Sequence, residues 1–149
     1  MSYTYTYPRP AVTVDCLIFS RSGENIQLLL IQRDNQPFEG SWALPGGFVE
    51  IDEPLESAAH RELEEETGIH DIRLEQFHTF GKPGRDPRGR TISVVYYGFM
   101  DHQSQEAAAG SDARNARWFD ILHLPELAFD HHEIIQRAIN PINSLEAKK

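Results

Sequence analysis

Gly47-Phe48-Val49-Glu50-Ile51-Asp52-Glu53-Pro54-Leu55-Glu56-Ser57-Ala58-Ala59-His60-Arg61-Glu62-Leu63-Glu64-Glu65-Glu66-Thr67-Gly68-Ile69 reads as one helix with both ends marked. Pro54 suits a first helical position, where the missing N–H costs nothing. Asp52 or Glu53 stands where a cap and a favourable dipole charge are wanted. Gly68 suits a left-handed stop, with Ile69 as the apolar contact beyond it. Leu55, Ala58, Ala59, Leu63 and five glutamates fill the interior with good helix formers. At about 100° per residue, Glu62, Glu65 and Glu66 share a face with Leu55 and Ala58, opposite Glu56, Ser57, His60 and Glu64. Carboxylates crowded on a half-buried face repel one another. Spacing alone leaves two readings: a solvated acidic face, or a seat for a hard divalent cation such as Mg²⁺.

The same stretch resembles the Nudix box, G-x5-E-x7-R-E-U-x-E-E-x-G-U, where U is a bulky aliphatic residue. Gly47, Glu53, Arg61, Glu62, Leu63, Glu65, Glu66, Gly68 and Ile69 fill its nine fixed positions. Similarity to Nudix hydrolases implies a loop–helix–loop that binds divalent metal and splits a pyrophosphate bond. It implies Glu62, Glu65 and Glu66 as metal ligands, for Mg²⁺ or alternatively Mn²⁺. It implies a Glu53–Arg61 salt bridge bracing the loop, and Gly47 with its backbone close to the metal. Glu53, Arg61, Glu62, Glu65 and Glu66 are thus the expected catalytic set. The resemblance does not single out a general base; Glu65, Glu66, Glu126 and Glu133 are the candidates.

The chain has 149 residues, which suggests one domain, 1–149, with a real core. Fourteen basic residues against 23 acidic ones leave a net charge of −9. That balance argues against a nucleic-acid surface. It is compatible with a phosphorylated small molecule, because a bound cation reverses the local field. A lone cysteine, Cys16, lies in an apolar run and reads as a packed thiol. With no signal sequence and no apolar run of spanning length, the expectation is a soluble, cytoplasmic protein with no membrane partner.

Outward from the box, the remaining elements follow. Tyr3, Tyr5 and Tyr7 alternate with period two, so residues 1–10 read either as an edge strand lying on a partner subunit or as a tail. A homodimer is compatible with that arm and with the resemblance. Residues 11–20 and 26–31 read as a strand hairpin around a turn at 21–25. Residues 72–80, 91–100 and 116–119 read as further strands, and 101–115 as a flexible connection. Trp42 reads as core rather than a pocket wall. Asp130 reads as the cap of a last helix from His131 to Asn140, with Ile134, Ile135, Ala138 and Ile139 inward and Pro141 as its stop. His131 and His132 read as structural rather than as ligands or bases.

Between two strands lies Gly81-Lys82-Pro83-Gly84-Arg85-Asp86-Pro87-Arg88-Gly89-Arg90. Two prolines and three glycines forbid regular structure there, and four basic residues gather positive charge. We read it as a substrate loop rather than a solvated hairpin. Arg33, Arg85 and Arg88 are the expected substrate contacts; Arg33 otherwise reads as a surface charge.

Strand and helix order give an α/β protein with a mixed sheet and helices on both faces. This agrees with the α/β/α sandwich the resemblance implies. Residues 44–50, 86–97 and 129–132, together with Pro83, are similar to the ADP-ribose pyrophosphatase branch. That branch implies hydrolysis of ADP-ribose to AMP and ribose 5-phosphate. Catalysis would rest on positioning, on charge stabilisation by the metal and on an activated water. The alternatives are another nucleotide substrate (an oxidised nucleotide, a dinucleotide or a nucleotide sugar) or a non-catalytic ADP-ribose-sensing module. Sensors of this branch carry a winged-helix domain, which the nine residues after Asn140 are too few to form.

Overall fold

The computed structural model describes residues 2–110 and 113–147, and side chains as far as residue 139. Seven strands form one mixed sheet in the order β3-β2-β1-β6-β5, with β4 added to β1 and β7 to β2. The strands are β1 (Ala11–Ser22), β2 (Asn25–Arg33), β3 (Trp42–Ala43), β4 (Gly46–Phe48), β5 (Glu75–Phe80), β6 (Thr91–Phe99) and β7 (Ala113–Asp120). The helices are α1 (Leu55–Thr67) and α2 (His131–Ala147).

β1 is the axis of the sheet. It pairs in parallel with β6 from Ala11↔Thr91 to Phe19↔Phe99. Its end pairs antiparallel with β2, from Phe19↔Leu28 to Ser22↔Asn25, as the hairpin reading expects. Its start pairs antiparallel with β4, Thr13↔Phe48 to Asp15↔Gly46. One long strand thus holds both the hairpin and the entry to the box.

Side chains alternate across a strand, and here both faces are covered. Val14, Cys16, Ile18, Leu29, Val94 and Tyr96 pack on Ala58, Ala59 and Leu63 of α1. Leu17, Phe19, Leu28, Leu30 and Val95 pack on Ile134, Ile135 and Ala138 of α2. This is why β1 and β2 read as unbroken apolar runs, and it gives the expected sandwich. Cys16 is a free buried thiol, as expected. Trp42 packs edge-on against Phe119, 4.8 Å between ring centres, in the α2-side core.

Several boundaries differ from the expectation. Pro54 is itself the N-cap of α1, with extended backbone and no side-chain cap bond. Neither Asp52 nor Glu53 caps: the Glu53 carboxylate is drawn to Arg61 and to the Glu50 N–H. Gly68 ends α1 in the left-handed region, φ 77°, and Ile69 is fully buried. α2 runs through Pro141 to Ala147, since proline removes one backbone bond without forbidding the turns around it. Residues 2–10 join no strand of the sheet. Two backbone bonds, Ala108 N–H to Thr67 O and Gly110 N–H to Glu66 O, tie the 101–110 segment to the end of α1. It therefore packs on the box helix rather than hanging loose. The strand expected at 72–80 begins at Glu75, and the one expected at 116–119 runs from Ala113 to Asp120. No helix among the described residues is long and apolar enough to cross a membrane.

Candidate active site

A cavity of about 500 Å³ opens where β1, β4, α1 and the 81–90 loop meet. Every expected site residue except Glu53 lines it: Arg33, Gly47, Arg61, Glu62, Glu65, Glu66, Arg85 and Arg88. Glu53 stands behind Arg61, accepting from Nε at 2.5 Å and from Nη2 at 2.8 Å. The bonds from Arg61 are the main reason its carboxyl lies below the usual carboxylate range.

Arg61 organises the rim. Its Nη1 donates to Glu62 Oε1 at 2.8 Å and to Glu65 Oε2 at 3.2 Å. Its Nη2 also reaches the Phe48 carbonyl at 3.2 Å. The three box acids therefore lie at different depths. Glu66 is 8 % exposed, and its Oε1 accepts the Gly46 N–H at 2.7 Å. Glu62 is half-buried beside Gly47, and Glu65 faces outward. Among the described residues no three His, Cys, Asp or Glu side chains are gathered at metal-holding distance. Spacing put the three acids on one face; Arg61 divides them in this arrangement.

Burial pushes Glu66 up to about 8, against the lowering effect of the Gly46 N–H. Burial also raises Glu62. Two acids that resist ionisation side by side are a donor set that a hard cation would relieve. A Cβ at Gly47 would lie 2.6 Å from the Glu62 carboxylate and displace it.

The cavity floor holds Asp15, which the sequence did not single out, and His131, which it marked as structural. Asp15 sits in β1 with Ser93 Oγ donating to its Oδ2 at 2.5 Å. His131 Nε2 lies 3.6 Å from Asp15 Oδ1, while its Nδ1 accepts the Leu44 N–H at 3.0 Å. That N–H contact fixes the neutral ring with its proton on Nε2, facing Asp15. Burial raises Asp15 to about 7 and lowers His131 to about 3. The signal available was a charge inside an apolar strand, which burial makes costly unless it is partnered. His131 is thus a structural hydrogen-bond acceptor on the cavity wall, and His132 is exposed. Glu126 and Glu133, the other candidate bases, are exposed and outside the cavity lining.

The buried acids imply a pH dependence in the metal-free protein. The unfolded chain releases the Asp15 and Glu66 protons above about pH 4, while the folded chain keeps them to about 7 and 8. Stability is therefore lost as pH rises through the folded values. In chelator, lowering pH from 8.5 to 6.5 should raise Tm by on the order of 5 °C, and Asp15→Asn should flatten the slope. His131 acts oppositely, but only below about pH 6.5, where the unfolded ring takes a proton and the folded one does not.

The loop arginines are held by acids. Arg85 is almost fully buried and donates Nε and Nη2 to the two oxygens of Asp130, at 2.9 and 2.7 Å. Asp130 does stand at the head of α2, where its carbonyl accepts the Ile134 N–H. Its carboxylate latches the 81–90 loop to that helix. Asp130→Asn should cost about 3 kcal/mol in urea unfolding, because it leaves a buried guanidinium without its counter-charge. Arg88 donates Nε and Nη2 to Asp86 at 3.1 and 2.8 Å. Arg33 donates Nε to the Pro37 carbonyl at 2.8 Å.

The NUDIX domain model matches residues 9–138. The chain belongs to the Nudix family. Nudix proteins generally use a divalent metal ion. The chain is 45 % identical over 130 residues to a protein of Methanocaldococcus jannaschii named ADP-ribose pyrophosphatase, covering 87 % of this chain and 73 % of that one. It is 41 % identical over 143 residues to the ADPR responsive transcriptional repressor NtrR of Acinetobacter baylyi, covering 93 % of this chain and 56 % of that protein. The NUDIX domain of Shewanella oneidensis NrtR, solved with ADP ribose, superposes with a TM-score of 0.83 at 34 % identity, covering 91 % and 90 % of the two chains.

Proposed function

We propose that this Nudix protein is a pyrophosphohydrolase that splits ADP-ribose into AMP and ribose 5-phosphate. The observation that carries the reading is one cavity that joins the box acids to the arginines of the 81–90 loop and β2. Support comes from the relatives: one named for ADP-ribose pyrophosphatase activity, one a repressor responsive to ADPR, and one a NUDIX domain solved with ADP ribose.

The donor set fits a hard divalent ion, Mg²⁺ or Mn²⁺, with Glu62, Glu65, Glu66 and the Gly47 backbone as its residues. Bound there, such an ion supplies charge neutralisation for the diphosphate and acidity for water. The acids that would hold it are those that now lean on Arg61 and Gly46. The chain itself contributes position. Glu53 fixes Arg61, and Arg61 fixes Glu62, Glu65 and the Phe48 carbonyl. Gly46 N–H holds Glu66 Oε1, so Oε2, ionised once a bound cation offsets its burial, would be the atom left to take a proton from the attacking water. The water oxygen bonds to phosphorus and the bridging oxygen leaves with its electrons, giving two phosphate monoesters. Arg33, Arg85 and Arg88 set positive charge along the path of the diphosphate.

The test is AMP release from ADP-ribose with Mg²⁺ or Mn²⁺, set against a panel of oxidised nucleotides, dinucleotides and nucleotide sugars. AMP from ADP-ribose at the highest kcat/KM is the expected result, and a better substrate elsewhere in the panel overturns the substrate assignment. The repressor relative favours a second reading, a non-catalytic ADP-ribose sensor. Calorimetric binding with no turnover at any metal concentration would establish it. No rise in Tm on adding metal and ADP-ribose would remove both.

A further inference from the structure

We propose, on the divalent-metal reading of the box acids, that Gly110 is a positioning residue: it sets where Glu65 and Glu66 stand by docking its backbone on theirs. The last four carbonyls of a helix have no partner within it. In α1 these belong to residues 64–67. Gly68 N–H serves the Glu64 carbonyl at 2.9 Å. Ala108 N–H serves that of Thr67 at 2.9 Å, and Gly110 N–H serves that of Glu66 at 3.1 Å. The final turn, which carries two of the three box acids, is therefore completed by a segment far along the chain. Glu65 lies under the same residue. A Cβ at Gly110 would overlap the Glu65 carbonyl oxygen and lie 3.0 Å from its carbon and 3.6 Å from the Glu66 Cα. All three are main-chain atoms of a helix and cannot turn aside. The φ of Gly110 lies outside the left-handed region, so closeness, not backbone freedom, is what requires glycine there.

The segment that brings Gly110 there is held along its length. Gln105 brackets His70, accepting its N–H at 3.0 Å and donating to its carbonyl at 2.6 Å. His102 N–H donates to the buried Ser20 Oγ at 3.0 Å, and Ala107 packs on the α1 side of the core. Beyond the turn, the Gly110 carbonyl accepts the Ala113 N–H at 3.3 Å, and Ala113 pairs with Arg33 at the end of β2. Gly110 thus stands between the turn of the box acids and the strand end that carries Arg33. Glu66 is fixed at both of its ends, its carboxylate by Gly46 N–H at 2.7 Å and its carbonyl by Gly110. Mg²⁺ demands near-ideal octahedral geometry, and groups that orient ligands govern metal affinity nearly as the ligands do. A side chain at position 110 would part segment and turn by about 1 Å or more, a displacement large enough to disable a site.

The experiment reads Mn²⁺ binding by calorimetry without substrate, beside Tm in chelator. Gly110→Ala should weaken Mn²⁺ binding by about tenfold or more. Gln105→Ala loosens the same segment away from the acids, so it should lower Tm yet keep Mn²⁺ affinity within about twofold of wild type. Wild-type affinity in Gly110→Ala overturns the assignment. Equal losses of affinity in the two variants also overturn it, because the segment then serves stability alone. Linkage is reciprocal, so in the wild type Mg²⁺ should slow hydrogen exchange at the Gly110 N–H by about fivefold more than at the His70 N–H. Equal slowing or none overturns the assignment even if Gly110→Ala does not fold. If the wild type binds no Mn²⁺, the metal reading has failed and the role of Gly110 with it; binding by the wild type with an undiminished Gly110→Ala removes the role of Gly110 alone.

Discussion

Glu66→Gln is expected to lower kcat for ADP-ribose by about 100- to 1,000-fold, with Tm little changed. The substitution keeps the shape of the side chain. The glutamine carbonyl still accepts the Gly46 N–H that now meets Oε1 at 2.7 Å, so the join between β4 and α1 survives. What goes is the negative charge and the second oxygen's capacity to take a proton. Burial already raises this acid to about 8, so removing its charge does not penalise folding and in metal-free buffer should help it slightly. A loss confined to KM would instead mean that Glu66 acts on substrate binding. Wild-type turnover would remove it from the mechanism.

Gly46→Ala is expected to cost about 4 kcal/mol or more, a large part of the stability of a domain this size. A Cβ at Gly46 would lie 2.2 Å from the Val14 carbonyl oxygen and 2.9 Å from the Asp15 Cα. Both are backbone atoms of the central strand, and neither can turn aside. The pairing of Asp15 with Gly46 would have to open, taking the Glu66 contact with it. Gly47→Ala is the control one residue on. The nearest atoms its Cβ would meet are those of the Glu62 carboxylate, at 2.6 Å, the far end of a flexible side chain that can swing away. We expect a small loss in the urea midpoint there and a large loss of kcat, because Glu62 is displaced. If both variants unfold alike, the distinction between rigid and mobile neighbours fails.

Much of the architecture was legible in the chain. The hairpin of β1 and β2 follows from two apolar runs, the first rich in β-branched residues, around a glycine turn. The end of α1 follows from Gly68, because few other residues tolerate φ 77°. The order of strands and helices was enough for the sandwich. The start of α1 was less so: Asp52 and Glu53 have cap chemistry, but Glu53 gains more from Arg61.

Local chemistry by itself determined where α1 stops, which strands form, and that three acids share one face of α1, since backbone sterics and side-chain periodicity act over a few residues. Only the tertiary structure decided how deep each acid lies and which arginines are already spoken for. Depth depends on what packs above a helix face, and the partners of Arg85, Arg88 and Asp15 are set by loop and helix positions. The floor of the site shows this most clearly. Asp15 and His131 stand at opposite ends of the sequence, and neither has a pattern around it that names the other. They meet because β1 threads the middle of the sheet and α2 begins against its face, a placement that depends on the packing of the whole core.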